Sequence, residues 1–405
     1  IPINLLKFHH SIVILFRLQE RMKCSDWAGL PPHLLDLVVE KMESLKDYLR
    51  FGAVCPPWHC VMKDKQSTRK LLAQVPMLIL PNKKENTFNL YDPVSDKFLE
   101  SKLVIPFNKR FSGSSEGWLV TVKEDFTVTL YKPHSMVHEN STKIHLPCLF
   151  PPEMDEENPE SFREFVQDCG YHVFKATITA DPLTNPDDCM VVVIFRYSLE
   201  LAFIRPAIDS KWTKVDLDQR GIFDILFHNN KLYVLKLEDE LLSYDILGPS
   251  KSHVTLIEHT DHRDGYVKPY LVTSSEGDIL QVKRYLKRDK KTATIRVTTR
   301  FRVFKLAKLT WVEITSLGDG AMFLGDNSSV YVRASNFVGC KSNCIYFSHD
   351  FDVVVTRGPP DNSHCDSGVF NLGDKSFENF KFSYEELSSL TLQPPIWVVP
   401  TLSMY

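Results

Sequence analysis

The sequence predicts a mainly β protein: a β-propeller of about six blades, with seven as the alternative count, preceded by a small helical module. From Met77 onward the apolar runs are short, rich in β-branched and aromatic residues, and bounded by Asn, Asp, Gly and Pro. Strand–turn–strand units recur at roughly 50 residues, a spacing typical of propeller blades. About 330 residues at that period give six blades, and closing them into a ring removes exposed sheet edges. A β-sandwich is the alternative architecture, although it would not need so many repeats.

The helical module is predicted between Trp27 and Met62. Its opening segment, Leu30–Pro32, suits the first turn of a helix, where the missing N–H of proline would be unpaired anyway. Apolar residues then follow one helical face, at Leu34, Leu35, Val38, Val39 and Met42. Ser44 or Asp47 is predicted to cap a second helix, and Trp58 to start a third segment. Because about 40 residues bury little surface alone, this module packs on the rest of the chain or offers its apolar face to a partner.

One motif in this module resembles a known family. The residues that carry the resemblance are Trp27, Leu30-Pro31, Leu34-Leu35, Val38, Asp47, Leu49-Arg50-Phe51, Val54-Cys55 and Trp58. In this order they resemble the F-box, a three-helix module that docks on the Skp-type adaptor of a cullin ubiquitin ligase. An apolar helical face too large to leave bare should bind a partner. We therefore expect an adaptor-binding surface made of Leu30, Pro31, Leu34, Leu35, Val38, Val54 and Trp58.

The pair Pro56-Pro57 departs from the F-box pattern, which usually has a basic or polar pair before the tryptophan. Proline inside a helix removes a hydrogen bond and kinks the chain. The pair therefore predicts a kink at the entry to the third helix and weaker docking. A helical hairpin that packs only on the main domain is the alternative interpretation of the module.

Composition limits the classes of function. The chain has 405 residues, of which 43% are hydrophobic and 24% charged, enough for a real core. A net charge of -3 gives no global attraction to nucleic acid. Nine cysteines, an odd and scattered set, favour reduced thiols in the cytoplasm or nucleus. The apolar run Ile12–Phe16 is too short to span a bilayer, so no membrane partner is expected.

The predicted organisation has five parts. Because the chain begins with Ile and Met22 would make a natural start, we expect residues 1–21 to be disordered or extraneous. The helical module covers residues 22–65, a polar linker residues 66–76, the propeller residues 77–400, and a tail residues 401–405.

The clearest internal repeat pairs two units that contain tryptophan. Lys211–Val215, with Trp212, precedes a hairpin that turns at Asn229-Asn230, and Thr310–Ile314, with Trp311, precedes one that turns at Asp326-Asn327. We expect each tryptophan strand to close one blade and each hairpin to open the next. Further strands are predicted at Met77–Leu80, Asn89–Tyr91, Trp118–Val122, Thr127–Tyr131, Lys143–Leu146, Tyr171–Thr179, Met190–Phe195, Leu201–Arg205, Tyr270–Ser274, Ile279–Tyr285, Thr294–Phe304, Asn343–Phe347 and Gly368–Leu372. The run Met190–Phe195 is apolar throughout, which predicts burial on both faces.

The C-terminal half resembles a second family module. The segments WVEITSLGDGAMFLG, NCIYFSHD, GVFNLGDKSFENF and PPIWVVP are similar to the plant F-box-associated domain, which is described as a kelch-like β-propeller. The two resemblances together imply the substrate-recognition subunit of a cullin-type (SCF) ubiquitin ligase. Its partners would be a Skp-type adaptor, a cullin scaffold and a protein substrate, with no cofactor and no catalysis of its own. The sequence identifies neither the substrate nor the residues that bind it.

Three catalytic or ligand-binding motifs are weak in context. Gly113–Gly117 fits the G-x-S-x-G elbow, but a strand follows it instead of the required helix. The spacing of Cys340, Cys344, His349, His364 and Cys365 does not match common zinc ligand pairs, so no metal site is expected. The basic stretch Lys283–Lys291 is expected to be a solvated strand end and hairpin tip that steers a charged partner.

Two other functions remain open. A propeller enzyme would need carboxylates or metal ligands that converge at the ring axis. An interaction protein that no longer assembles into a ligase is suggested by Pro56-Pro57.

Overall fold

The computed structural model describes eighteen stretches of the chain, which divide into two units. The residues described are 27–39, 50–63, 75–81, 87–104, 111–132, 134–135, 142–151, 172–195, 199–215, 221–236, 240–245, 251–252, 266–288, 296–308, 310–348, 350, 366–381 and 395–399. The first unit ends at Ala73 and the second begins at Gln74. Both predicted terminal tails lie outside these residues, as do the proposed caps Ser44 and Asp47. No helix in the part of the chain described here is long and apolar enough to cross a membrane.

The first unit contains two described α-helices that pack against each other, α1 (Pro32–Val39) and α2 (Pro56–Lys63). A 3-10 turn at Trp27–Gly29 precedes them. Each helix begins at a proline, which has no N–H to leave unpaired in the first turn. The predicted kink at Pro56-Pro57 is therefore wrong, because both prolines lie in the first turn of an unbroken helix.

The second unit contains only strands and short turns in its described part. Strands β1 to β8 are Met77–Pro81, Thr87–Asp92, Lys97–Val104, Phe111–Ser115, Trp118–Val122, Thr127–Lys132, His134–Ser135 and Thr142–Cys148. Strands β9 to β16 are Val173–Ile178, Val191–Phe195, Glu200–Ile204, Thr213–Val215, Ile222–His228, Lys231–Lys236, Leu241–Asp245 and Lys251–Ser252. Strands β17 to β26 are Tyr266–Thr273, Ile279–Arg288, Arg296–Ala307, Thr310–Ile314, Gly320–Leu324, Ser329–Arg333, Cys344–Phe347, Gly368–Asn371, Phe377–Asn379 and Ile396–Val398.

These strands form six sheets, the blades of a six-bladed propeller, which confirms the predicted count. From the axis outward, blade A is β26-β1-β2-β3-β7, blade B is β4-β5-β6-β8 and blade C is β9-β10-β11-β12. Blade D is β13-β14-β15-β16, blade E is β17-β18-β19-β20 and blade F is β22-β21-β23-β24-β25. Inner strands of successive blades are neighbours around the ring.

The hydrophobic core is divided among the seams between blades. Six clusters of buried apolar residues occupy the A–B, B–C, C–D, D–E, E–F and F–A seams. Strand β10 shows the principle, because Val191, Val193 and Phe195 join the B–C cluster while Val192 and Ile194 join the C–D cluster. The predicted burial of Met190–Phe195 on both faces is confirmed. Alternate side chains of this apolar strand therefore pack into the B–C and C–D clusters, so that one strand links three blades.

The last described strand of the propeller closes the ring in the first blade. Strand β26 pairs antiparallel with β1, with Leu78 opposite Trp397. The Trp397 side chain is fully buried, and its indole N–H donates to the Leu324 carbonyl of blade F at 2.8 Å. Its backbone N–H donates to the Ser328 hydroxyl at 3.1 Å. One residue therefore fastens blade A to blade F.

Blade F departs from the repeat that the sequence suggests. The turn at Asn229-Asn230 has positive φ at both residues, as a tight hairpin requires, and places β13 at the axis. In blade F the corresponding hairpin turns at Asp326-Asn327, and its second strand, β22, lies at the axis. Its first strand, β21, pairs in parallel with β23. The parallel pair needs a longer connection, which passes through a 3-10 turn at Ala334–Asn336.

Candidate functional site

The first candidate surface is the apolar face of the helical module. Leu34 is 41% exposed and Val54 is 57% exposed, and Pro31 is also exposed. Leu37 is 52% exposed, although the sequence pattern did not select it. Its position one turn after Leu34 is the signal that could have identified it. These four apolar side chains lie at the surface of a small unit, where burial against a partner would be favourable.

The other predicted adaptor-binding residues are covered to different degrees. Leu35 is fully buried, so it belongs to the interior and cannot present its side chain to a partner in this conformation. Leu30 and Val38 are half-buried. Trp58 is half-buried as well, with its ring 4.5 Å from that of Phe51. Its indole N–H donates to the Trp27 carbonyl at 2.9 Å, which ties α2 to the opening turn.

The second candidate surface is a cavity of about 290 Å³ where the inner strands converge on the ring axis. Its lining includes Lys175 of β9 and Ser329 of β22, together with Val399 after β26. The Lys175 ammonium group forms an ion pair with Asp224 of β13. Asp224 also accepts hydrogen bonds from the backbone N–H groups of Ile225 and Leu271, both at 2.7 Å. This carboxylate is therefore fully engaged in joining blades C, D and E.

The inner strands of blades B and C approach each other so closely at Gly113 that only glycine fits there. A Cβ atom built on Gly113 of β4 would overlap the backbone carbonyl of Ala176 in β9. The Ser115 hydroxyl in the same strand donates to the Ile178 carbonyl at 2.8 Å. Gly113–Gly117 therefore forms a hairpin that enters blade B, and the strand that follows it cannot supply a nucleophile elbow. The glycine is explained by packing between blades.

The third cluster is a buried charged network at the seam between blades E and F. Arg284 of β18 lies at its centre, and its Nη2 atom forms an ion pair with Asp366 at 2.9 Å. Its Nη1 atom lies 3.1 Å from Asp350 and donates to the Ser348 carbonyl at 2.9 Å. Its Nε atom donates to the Thr298 hydroxyl at 2.7 Å. The guanidinium group is thus bonded on every side by strands β18 and β19 and by the chain around Asp350 and Asp366.

A second cation completes this network. Lys268 of β17 forms ion pairs with Asp326 and, at 3.2 Å, with Asp350. The Tyr270 hydroxyl donates to Asp350, and burial together with the Asp350 charge raises the pKa of Tyr270. The Asp350 Oδ1 atom is buried without a hydrogen-bond partner among the described residues. Two cations and three carboxylates therefore share one seam.

The prediction that the basic stretch Lys283–Lys291 is solvated is wrong at its first two residues. Lys283 and Arg284 are both buried, and only Lys287 among the side chains described there is exposed. Burial is tolerated because Arg284 has carboxylate partners, and the Lys283 ammonium lies 4.7 Å from the centre of the Phe304 ring.

The network predicts acid sensitivity. Burial acts to raise the pKa of Asp350, but the charges of Lys268 and Arg284 outweigh it and hold the pKa below 3.8. A depressed carboxyl pKa stabilises the fold above the ordinary value and loses that effect as the pH falls below it. Burial likewise acts to lower the pKa of Lys268, but Asp326 and Asp350 raise it well above 10.5. We therefore expect the network's contribution to the free energy of unfolding to be constant between about pH 5 and 9 and to fall under acid conditions.

Urea unfolding at pH 7, 5, 4 and 3 measures this dependence. The Asp350→Asn variant, which cannot titrate at that position, should lose less stability on acidification than the wild type. Equal losses in the two proteins would show that Asp350 does not carry the effect.

The cysteines and histidines considered as metal ligands in the sequence are either buried or half-buried in the propeller, or lie outside the described residues. Cys344 is buried in β23, and burial raises the pKa of the Cys340 thiol to about 11, so the thiol stays protonated near neutral pH. His349, His364 and Cys365 lie outside the described residues. Within the stretches that the structure describes, no group of three or more His, Cys, Asp or Glu side chains could hold a metal ion.

Comparisons with known proteins give consistent results. Residues 88–371 match the family model described as the KIB1-4 beta-propeller. The chain is 24% identical over 369 residues to F-box protein At2g26160 of Arabidopsis thaliana, covering 83% of this chain and 99% of that protein. It is 23% identical over 411 residues to F-box protein SKIP23 of the same plant, covering 92% and 95%. F-box protein At4g35733 is 24% identical over 367 residues, covering 87% and 96%.

Proposed function

This chain belongs to the KIB1-4 beta-propeller family, and on that premise we propose that it is the substrate-recognition subunit of a cullin-type (SCF) ubiquitin ligase. The resemblance to a plant F-box protein with a C-terminal propeller is confirmed by the family match and by full-length relatives named as F-box proteins. The helical module docks on a Skp-type adaptor that is held by a cullin scaffold. The propeller binds a protein substrate.

The observation that carries the adaptor assignment is the exposed apolar face of the helical module. Leu34, Leu37 and Val54 each leave 41% or more of their surface in solvent, although the unit to which they belong is small. The tryptophan of the motif lies in α2, where its indole is fixed by Trp27 and Phe51. The surface thus combines exposed aliphatic side chains with a tryptophan held in place by its neighbours, a combination suited to helix docking.

The proposed role of the propeller is to hold the substrate, not to transform it. A tethered substrate experiences a high effective concentration of the ubiquitin-carrying enzyme, without any new chemistry in this chain. At the ring axis the Asp224 carboxylate is occupied by Lys175 and two backbone N–H groups. Such saturation favours a structural role for that carboxylate over acid–base catalysis. We propose that the protein works in the cytoplasm, the nucleus or both.

We expect Leu34→Asp combined with Val54→Asp to weaken binding to a recombinant Skp-type adaptor by about 100-fold, because each change places a charge in a desolvated apolar contact. Biolayer interferometry with the full chain measures the dissociation constant. The matched control is Leu183→Asp combined with Ile208→Asp, which alters two equally exposed aliphatic residues of the propeller and should leave adaptor binding unchanged.

Failure of the wild type to bind the adaptor would contradict the proposal and favour an interaction protein that no longer assembles into a ligase. Unchanged binding by the Leu34→Asp/Val54→Asp variant would place the contact elsewhere. A far-UV circular dichroism spectrum equal to that of the wild type excludes unfolding as the cause of a loss.

A further inference from the structure

In the longest described hairpin of the propeller, β18 with β19, every charged residue of the two strands is basic. We call it the blade E ribbon, defined as Ile279–Arg288 and Arg296–Ala307. Its two strands have 10 and 12 residues, and no other described strand exceeds 8. They contain eight Lys or Arg residues and no Asp or Glu. In a chain with a net charge of -3, this is a strong local departure from the average.

Four of these eight cations already have structural roles. Lys283 and Arg284 are buried. Arg302 forms a bidentate pair with Glu313 of β20, through bonds of 2.5 and 2.8 Å, and Lys305 forms an ion pair with Asp278 at 2.6 Å. Both ion pairs lie farther from the Arg288–Arg296 end of the ribbon than Lys287 and Arg300 do. The charges nearer that end still need an explanation.

Nearer that end, Lys287 and Arg300 form no ion pair with a carboxylate among the described residues. The side chains of Lys287 and Arg300 are exposed, and Arg300 stacks on the Tyr285 ring with 4.2 Å between its Cζ atom and the ring centre. The hydrogen bonds from Arg302 lower the pKa of Glu313 most, and the charge of Arg300 contributes a smaller decrease; both Glu313 oxygens already accept hydrogen bonds from Arg302. The backbone register also places Arg288 opposite Arg296.

The same face of the ribbon carries an exposed apolar residue. Val297 is 44% exposed and lies opposite Lys287 in the β18–β19 register. Tyr285, opposite Arg300, shares a face with Lys287 because alternate residues of β18 share a face, and the register shift beside Tyr285 places the extra residue, Thr299, in β19. This face therefore presents Val297 between two cations: Lys287, opposite it in β18, and Arg300, which stacks on Tyr285.

We propose that this face of the blade E ribbon docks an acidic, extended segment of a protein partner, with an apolar side chain of that segment against Val297. Charge complementarity selects the acidic residues, and the valine supplies the apolar contact that a phosphate backbone would not use. This inference rests on the proposed function, because it makes the acidic segment the feature of the substrate that the propeller recognises.

Fluorescence anisotropy with the full chain tests the proposal. The probe is a fluorescein-labelled 12-residue peptide of glutamates with two central valines, and the comparison peptide has glutamine at every glutamate. We expect binding of the acidic peptide only, weakened at least tenfold between 50 and 300 mM NaCl because exposed charges are screened. Lys287→Glu combined with Arg300→Glu should weaken binding by at least about 30-fold, and Val297→Ser by about fivefold.

The matched control is Lys211→Glu combined with Lys231→Glu. It makes the same change in net charge at two exposed lysines of blades C and D, and should leave peptide binding unchanged. Equal losses in both double variants would overturn the proposal, because only total charge would then matter. Tighter binding of a 20-base-pair DNA duplex than of the acidic peptide would overturn it as well.

Adaptor binding, measured on the same samples, separates this inference from the proposed function. If the adaptor binds and the acidic peptide does not, the ribbon proposal alone fails. If the peptide binds at the ribbon and the adaptor does not, the ligase assignment fails while the docking face stands. Urea unfolding of each variant confirms that a loss of binding is not a loss of fold.

Discussion

Replacing Arg284 with methionine is expected to destabilise the propeller by about 3–5 kcal/mol, since removing one partner of a buried ion network leaves the other charges uncompensated. Asp350 and Asp366 both lose their guanidinium partner, and the Ser348 and Asp366 carbonyls lose donors. Methionine retains much of the volume and flexibility of the arginine stem, so the change is mainly electrostatic. The measurement is urea unfolding at pH 7, followed by the fluorescence of the buried tryptophans.

The matched control for Arg284 is Arg302→Met in the same hairpin. Arg302 and Glu313 are both about 40% exposed, and exposed ion pairs contribute about 0–1 kcal/mol. A loss of less than 1 kcal/mol in Arg284→Met would contradict the prediction. It would mean that water or a rearranged side chain takes over the role of the guanidinium group.

Replacing Trp397 with alanine is expected to cost about 3–5 kcal/mol, the range for removal of a large buried aromatic side chain. Trp397 is fully buried in the F–A cluster, with its ring 5.1 Å from that of Phe323. The change also removes the donor to the Leu324 carbonyl. Because β26 is held in the ring partly by this side chain, we expect the C-terminal strand to become sensitive to limited proteolysis before the rest of the propeller does.

Two further variants separate packing from hydrogen bonding at this position. Trp397→Phe keeps most of the apolar surface but loses the indole N–H, and should cost about 1–3 kcal/mol. Val399→Ala, at a half-exposed residue two positions away, should stay within about 0.5 kcal/mol of the wild type. Equal stability of Trp397→Ala and the wild type would show that Trp397 does not hold β26 in the ring.

The repeating part of the fold could be predicted from the sequence because its signals are local. Trp118–Val122 and Thr310–Ile314 were predicted at their observed bounds, and the Asn229-Asn230 turn was identified from residues that tolerate positive φ. The burial of Met190–Phe195 followed from its unbroken apolar composition. Each inference needed no information from beyond its own strand or turn.

The features that escaped prediction depend on residues far apart in the chain. Arg284 looked like part of a solvated basic stretch because its partners Asp350 and Asp366 are 66 and 82 positions away. The swapped strand order of blade F cannot be read from two hairpins of similar pattern, since either strand could take the axial place. The burial of Leu35 and the exposure of Leu37 likewise depend on which side of α1 is covered. Periodicity alone predicts that a face exists, not which residues remain in solvent.

The pairing of β26 with β1 has a consequence for the synthesis of the protein. Met77 is paired with Val398, so the axial edge of the first blade stays open until nearly the whole propeller has left the ribosome. At roughly 5–20 residues per second, that delay is tens of seconds. During it, β1 presents unpaired backbone groups at an apolar strand edge, which is a site of mispairing. The nascent chain should therefore depend on chaperones until β26 has been synthesised. A chain truncated before Ile396 would remain dependent on them, because β1 would never gain its partner strand.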